Sequence, residues 1–155
     1  MKNFVKIAAV SALLAAPLPA VAATGNVQFD ATVNNTCSIT VNQAGLLTAN
    51  VGQTSLSSGN AGGAPGQADI VATSANYNVS IDQPTAWGTF PTGGDTNVAF
   101  AATYATTGAT TLTTRNTAAP LATGTTAVNV NLSATKSSGS FPTGTYAAVV
   151  VLRCE

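Results

Sequence analysis

The sequence predicts an all-β domain, a β-sandwich of the immunoglobulin-like kind. Apolar and polar residues alternate over several short runs, and clusters of Gly, Asn and Pro recur between those runs. After the first two dozen residues no stretch keeps a 3.6-residue apolar period.

The elements follow in order. Val27, Phe29, Ala31 and Val33 alternate with Gln28, Asp30 and Thr32, the period of a half-buried strand, and Cys37, Ile39 and Val41 continue the same parity. Residues 44–67 are rich in Gly, Ser and Asn, and Gly59-Asn60-Ala61-Gly62-Gly63-Ala64-Pro65-Gly66 marks a loop. Strands are expected over 68–73, over 75–82, where Tyr77, Val79 and Ile81 alternate with Asn78 and Ser80, and over 96–105 around Val98, Phe100 and Tyr104. Another covers 126–135, with Val128, Val130 and Leu132 on one face. The last covers 144–153, where Tyr146, Ala148, Val150 and Leu152 share parity with Cys154.

Residues 1–23 read as a secretory signal peptide: Lys2 and Lys6 precede a short apolar run over 7–16 and a small-residue region over 17–23. That run is too short for a membrane span, and no later segment approaches the ~20 apolar residues that one needs. The expected mature chain, from Thr24, carries three basic residues (Arg115, Lys136, Arg153) against five acidic ones (Asp30, Asp69, Asp82, Asp95, Glu155). Its surface must therefore be covered mainly by Thr, Ser, Asn, Gln and Gly, with little charge repulsion to keep copies apart.

Composition excludes several functions. Five Lys and Arg in the whole chain cannot form a phosphate-neutralising patch, so no nucleic acid is expected as a partner. With no His and no visible acid, base and nucleophile set, the expectation is a non-enzyme with no catalytic residues, no metal and no cofactor. Asp69, Asp82 and Asp95 stand singly, unlike the dense carboxylates of a calcium loop. In an oxidising compartment Cys37 and Cys154 are most simply one intramolecular disulfide; an intermolecular bridge and a reactive thiol are the alternatives, and Arg153 is the one basic neighbour that could activate a thiol. Trp87, flanked by Gly88, Phe90 and Pro91, reads as a plug for one end of the sandwich or, alternatively, as a sugar platform.

Three segments carry a family resemblance. Gly25-Asn26-Val27-Gln28-Phe29, shortly before Cys37, resembles the mature N-terminus of chaperone–usher fimbrial subunits. Asn76-Tyr77-Asn78-Val79-Ser80-Ile81-Asp82 and Gly144-Thr145-Tyr146 are similar to segments of the archaic branch, the spore coat protein U-like pilins. The match covers both ends and one middle strand, well under half of the chain.

The resemblance implies a sandwich lacking its last strand and completed by donor-strand complementation. It divides the chain into the signal peptide, an N-terminal extension over 24–36 and a β-sandwich over 37–155. The donor strand would be 24–31, with Val27 and Phe29 filling a groove and Gly25 and Ala31 beside them. The acceptor edge would carry Tyr146, Ala148, Val150 and Leu152. The implied partners are copies of the same chain, a periplasmic chaperone and an outer-membrane usher, and the implied location is a surface fimbria serving adhesion or biofilm formation. Three alternatives stand beside this. Val27 and Phe29 could belong to the first strand of the domain's own sandwich, the protein could be a self-contained secreted surface or matrix protein of the spore coat-like group, or it could be a small carbohydrate-binding module.

Overall fold

A computed structural model describes residues 23–155, so the signal peptide lies outside the described residues apart from position 23. The fold is that of the compact unit Val33–Glu155; residues 23–32 are not part of that unit. It is all-β, with ten strands and, among the described residues, no helix: β1 (Cys37–Gln43), β2 (Thr48–Ala49), β3 (Ser55–Ser57), β4 (Gly66–Ala72), β5 (Asn78–Asp82), β6 (Val98–Gly108), β7 (Leu112–Arg115), β8 (Ala119–Pro120), β9 (Gly124–Lys136) and β10 (Val151–Cys154). Every ladder is antiparallel.

The thirteen-residue β9 is the spine of a seven-stranded sheet. β6 pairs along one side of it, from Val98 opposite Lys136 to Gly108 opposite Thr126. On the other side β4 covers 124–130 and β3 covers 133–135, so two short strands share one edge of the long one. β1 extends the sheet beyond β4, β2 beyond β3 and β7 beyond β6. The second sheet has three strands in the order β10-β5-β8.

Alternation along these strands places one face of each on the core. Ile70 and Ala72 of β4, Tyr104 of β6 and Val128 of β9 meet Val79 of β5 and Ala119 of β8, all buried. Tyr104 has no exposed surface, and its hydroxyl donates to the carbonyls of Val79 (3.1 Å) and Thr117 (2.7 Å), which satisfies a polar group that burial would otherwise penalise. A second cluster gathers Leu56, Trp87, Ala134 and Phe141.

The sequence expectations hold for the central strands and fail at both ends. No residue from 23 to 36 belongs to a strand, so the strand expected over 27–33 does not form; Phe29 and Val33 are each 90% exposed. The C-terminal strand expected over 144–153 is present only as Val151–Cys154. Its partner β5 has five residues and leaves the ladder at Asp82, just before Gln83 and Pro84. Residues 148–150 therefore find nothing to pair with, and Ala147 makes a single bridge to Thr89. Within 44–67, read as loop, lie β2, β3 and the first two residues of β4, held by pairing to β9 and by the buried Leu56. β7 and β8 likewise have too few apolar residues to stand out in the sequence.

Candidate functional site

The two cysteines define one end of the site. Cys37 opens β1 and Cys154 closes β10, and the two are bridged with their Cα atoms 6.3 Å apart, a separation a disulfide spans without backbone movement. Because β1 leaves the bridge and β10 arrives at it, the two strands have opposite chain directions at this end of the site. Among the described residues β1 pairs with β4 alone and β10 with β5 alone, so each leaves one edge unpaired.

Beyond the bridge the two edges part into an apolar groove of about 800 Å³. One rim runs along the end of β1 and on through Leu46, Leu47 and Ala49. The other runs from Phe141 to Leu152, and Leu56, Ala68, Val130 and Leu132 form the floor. Tyr146, Ala148, Val150 and Leu152 line it half-buried; Ala147 and Val149 between them also border it but are exposed, as is Val151. This is the period-2 alternation of extended chain. Apolar side chains around the opening are exposed: Val41 at 73%, Leu46 at 55% and Val149 at 74%.

The electrostatics are plain. Tyr146 is the one titratable side chain along the groove, and burial raises its phenol above the ordinary range while its hydroxyl donates to the Pro142 carbonyl at 2.8 Å. Among the described residues no carboxylate or cation lines the groove, whose lining suits apolar side chains and uncharged backbone. Among the described residues no group of three His, Cys, Asp or Glu could hold a metal ion. No helix among them is long and apolar enough to cross a membrane.

The wide end of the groove rests on an aromatic cluster. Trp87 meets Phe100 edge-on at 4.9 Å between centroids, lies 5.1 Å from Tyr146 and 6.1 Å from Phe141, and is 5% exposed. Its ring faces are covered, which removes it as a sugar platform and makes it the plug that the sequence also allowed. Lys136 supports the same corner. Its ammonium donates to the carbonyls of Gly93 (3.0 Å) and Thr96 (2.7 Å) and sits 5.4 Å from the Phe141 ring centroid. Gly94 is required beneath Tyr146, since a Cβ there would lie 2.8 Å from the Tyr146 ring.

Of the residues singled out in the sequence, Cys37 and Cys154 are joined, and the four C-terminal ones share one rim. Gly25, Val27, Phe29 and Ala31 are exposed and belong to no strand, with Val27 at 76% and Phe29 at 90%. The opposite rim and the floor were missed. Their sequence signal was the Leu46-Leu47 pair and Leu56, isolated apolar residues in a stretch otherwise poor in large side chains. Compared with known proteins, the chain matches no family model, no curated protein and no solved structure.

Proposed function

We propose that the chain is the structural subunit of a surface fimbria of the archaic chaperone–usher kind, a spore coat protein U-like pilin that polymerises by donor-strand exchange. The observation that carries this reading is the open apolar groove between two unpaired strand edges, in a chain that also carries an exposed, alternately apolar N-terminal segment. The domain is an immunoglobulin-like sandwich short of its last strand, and segment 24–31 of a neighbouring copy supplies the missing one. The eight residues of that segment extend about 26 Å, close to the seven-residue rim from Tyr146 to Leu152.

Physical chemistry supports strand addition at this place. Free edges must find hydrogen-bond partners, and apolar side chains such as Val41 and Val149 gain by leaving water. A strand inserted here answers both needs, its backbone bonding the two rims while alternate side chains, Val27 and Phe29, descend into the groove. Because the rims run in opposite directions, any inserted strand is parallel to one and antiparallel to the other. Before assembly the same edges need protection, the task of a periplasmic chaperone, and an outer-membrane usher is the site of exchange. A self-contained sandwich would bury Val41, Leu46 and Val149 within itself, and all three are exposed.

The test is size-exclusion chromatography with light scattering on the mature chain exported to the periplasm, beside a variant lacking 24–31. Heat-resistant polymers from the intact chain support the reading, together with a truncated chain that stays folded only with a chaperone or an added 24–31 peptide. Stable monomers from both would refute it.

A further inference from the structure

Within the unit Val33–Glu155 the outer face of the seven-stranded sheet is uncovered among the described residues, and strand exchange gives it no role. Along β6 its outward positions, 99 to 107, are Ala and Thr; along β9, from 125 to 135, they are Thr, Ala, Asn and Ser. The outward positions of β1 are Ser38, Thr40 and Asn42. No aromatic ring projects from these strands on this side. The single ionisable group is Asp69, whose carboxylate accepts from the Asn42 amide at 2.9 Å. The outer face of the three-stranded sheet differs: it carries the Arg153–Asp82 ion pair and Glu155, which accepts from Ser80.

We infer that this outer face is a packing surface for the same face of a second copy, joining molecules side by side. Its chemistry selects that occupant. A charged partner finds a single carboxylate, Asp69, already engaged by Asn42, and a sugar finds no ring to stack on. Hydroxyls and carboxamides, in contrast, both donate and accept, so a face built of Thr, Ser and Asn can satisfy a copy of itself. Small side chains let two sheets approach closely without interdigitating bulk. The size is also adequate. Thirteen residues of β9 by three to four strands give roughly 40 Å by 15–20 Å, a footprint of roughly 700 Å² against about 800 Å² per partner in a specific dimer.

The face is also self-complementary in shape. Val71, 42% exposed, stands out from it opposite Thr125. A dimple of about 190 Å³ lies where β3 and β4 leave part of β9 uncovered, beside Asn131 and Ser133. A half-turn about an axis in the interface, crossing β9 near Asn129, carries the Val71 of each copy over the dimple of the other.

This inference rests on the sheet alone, and its test separates it from strand exchange. The mature wild-type chain is compared with the double variant Ala101→Lys/Asn129→Lys, with Val71→Asp, and with a control placing the same charge elsewhere, Asn116→Lys/Ala118→Lys. All altered positions are exposed, and circular dichroism checks that each protein folds. Two quantities are read: dilution-sensitive, detergent-labile association by analytical ultracentrifugation and electron microscopy, and the ladder of heat- and detergent-resistant multimers that strand exchange would leave. The expected result is reversible association of wild type and control, a shift of its midpoint by about tenfold or more in the two face variants, and an unchanged ladder throughout. The inference is overturned if the face variants associate as wild type does, if wild type shows no reversible association, or if the face binds insoluble polysaccharide instead of itself. Reversible association without any ladder would remove the strand-exchange reading and leave this one standing.

Discussion

Tyr104 ties the two sheets together. It is wholly buried, and it satisfies carbonyls from β5 and from the turn after β7. Replacing it with Phe keeps the ring and strands two acceptors, so Tyr104→Phe should lower unfolding free energy by about 1–3 kcal/mol in denaturant titration. Burial raises the phenols of Tyr104 and Tyr146 above their ordinary value, against a smaller opposing pull of Arg115 on Tyr104. A raised folded value means that the folded state holds its proton more tightly than the unfolded chain does. Stability from this source is therefore fully present below about pH 10, where unfolded tyrosine ionises, and is lost as pH rises through the folded values. Melting temperature followed from pH 7 to 12 should be flat in this respect to about pH 10 and then fall, with a smaller fall in Tyr104→Phe. A flat profile to pH 12 would contradict the assignment. At the covalent end, Cys37→Ser/Cys154→Ser opens a loop of sequence separation 117 and should cost about 4–5 kcal/mol by chain entropy, read as the shift in denaturation midpoint against the oxidised protein.

At the scale of elements, the groove depends on how its wide end is propped. Gly94→Ala would drive a methyl into the Tyr146 ring and the Pro91 carbonyl, both 2.8 Å from an added Cβ. The ring, packed against Trp87 and Phe141 and lining the groove, would have to shift. The variant should therefore bind an added 24–31 peptide about tenfold more weakly than wild type while keeping its strand content, with Trp87 fluorescence, 5.1 Å from Tyr146, as the reporter. Equal peptide affinity would show that Tyr146 does not shape the site. How far such elements can be read from sequence depends on their length and on who pairs with them. β4, β6 and β9 declare themselves because each alternates over enough residues to cover both core and surface. β2 and β3 do not, because two and three residues carry no period; their place comes from the free half of β9. The C-terminal apolar run was legible as one face of extended chain, hence the legible rim at Tyr146, Ala148, Val150 and Leu152. Its ladder was not, because strand length there is set by where β5 ends, a property of the partner. The opposite rim, from Val41 to Ala49, was hidden for the same reason.

At the scale of the whole fold, the bridge between Cys37 and Cys154 closes the chain between them into one covalent loop. In a fibre built by strand exchange, tension would enter through a donor strand lying along both rims and leave through the segment just before Cys37. The covalent link joins those rims at the exit point, so load passes from one rim to the other without crossing the sheets. The weak step then becomes sliding of the donor along the whole rim, with many bonds stretched together, in place of peeling β1 away bond by bond. Single-molecule pulling on an oxidised fibre should show subunits separating without the roughly 40 nm of extra length that 117 residues would release, and that length should appear only after reduction. In such a fibre the disulfide would act as a mechanical shunt, making each domain inextensible and confining the give to the linkers.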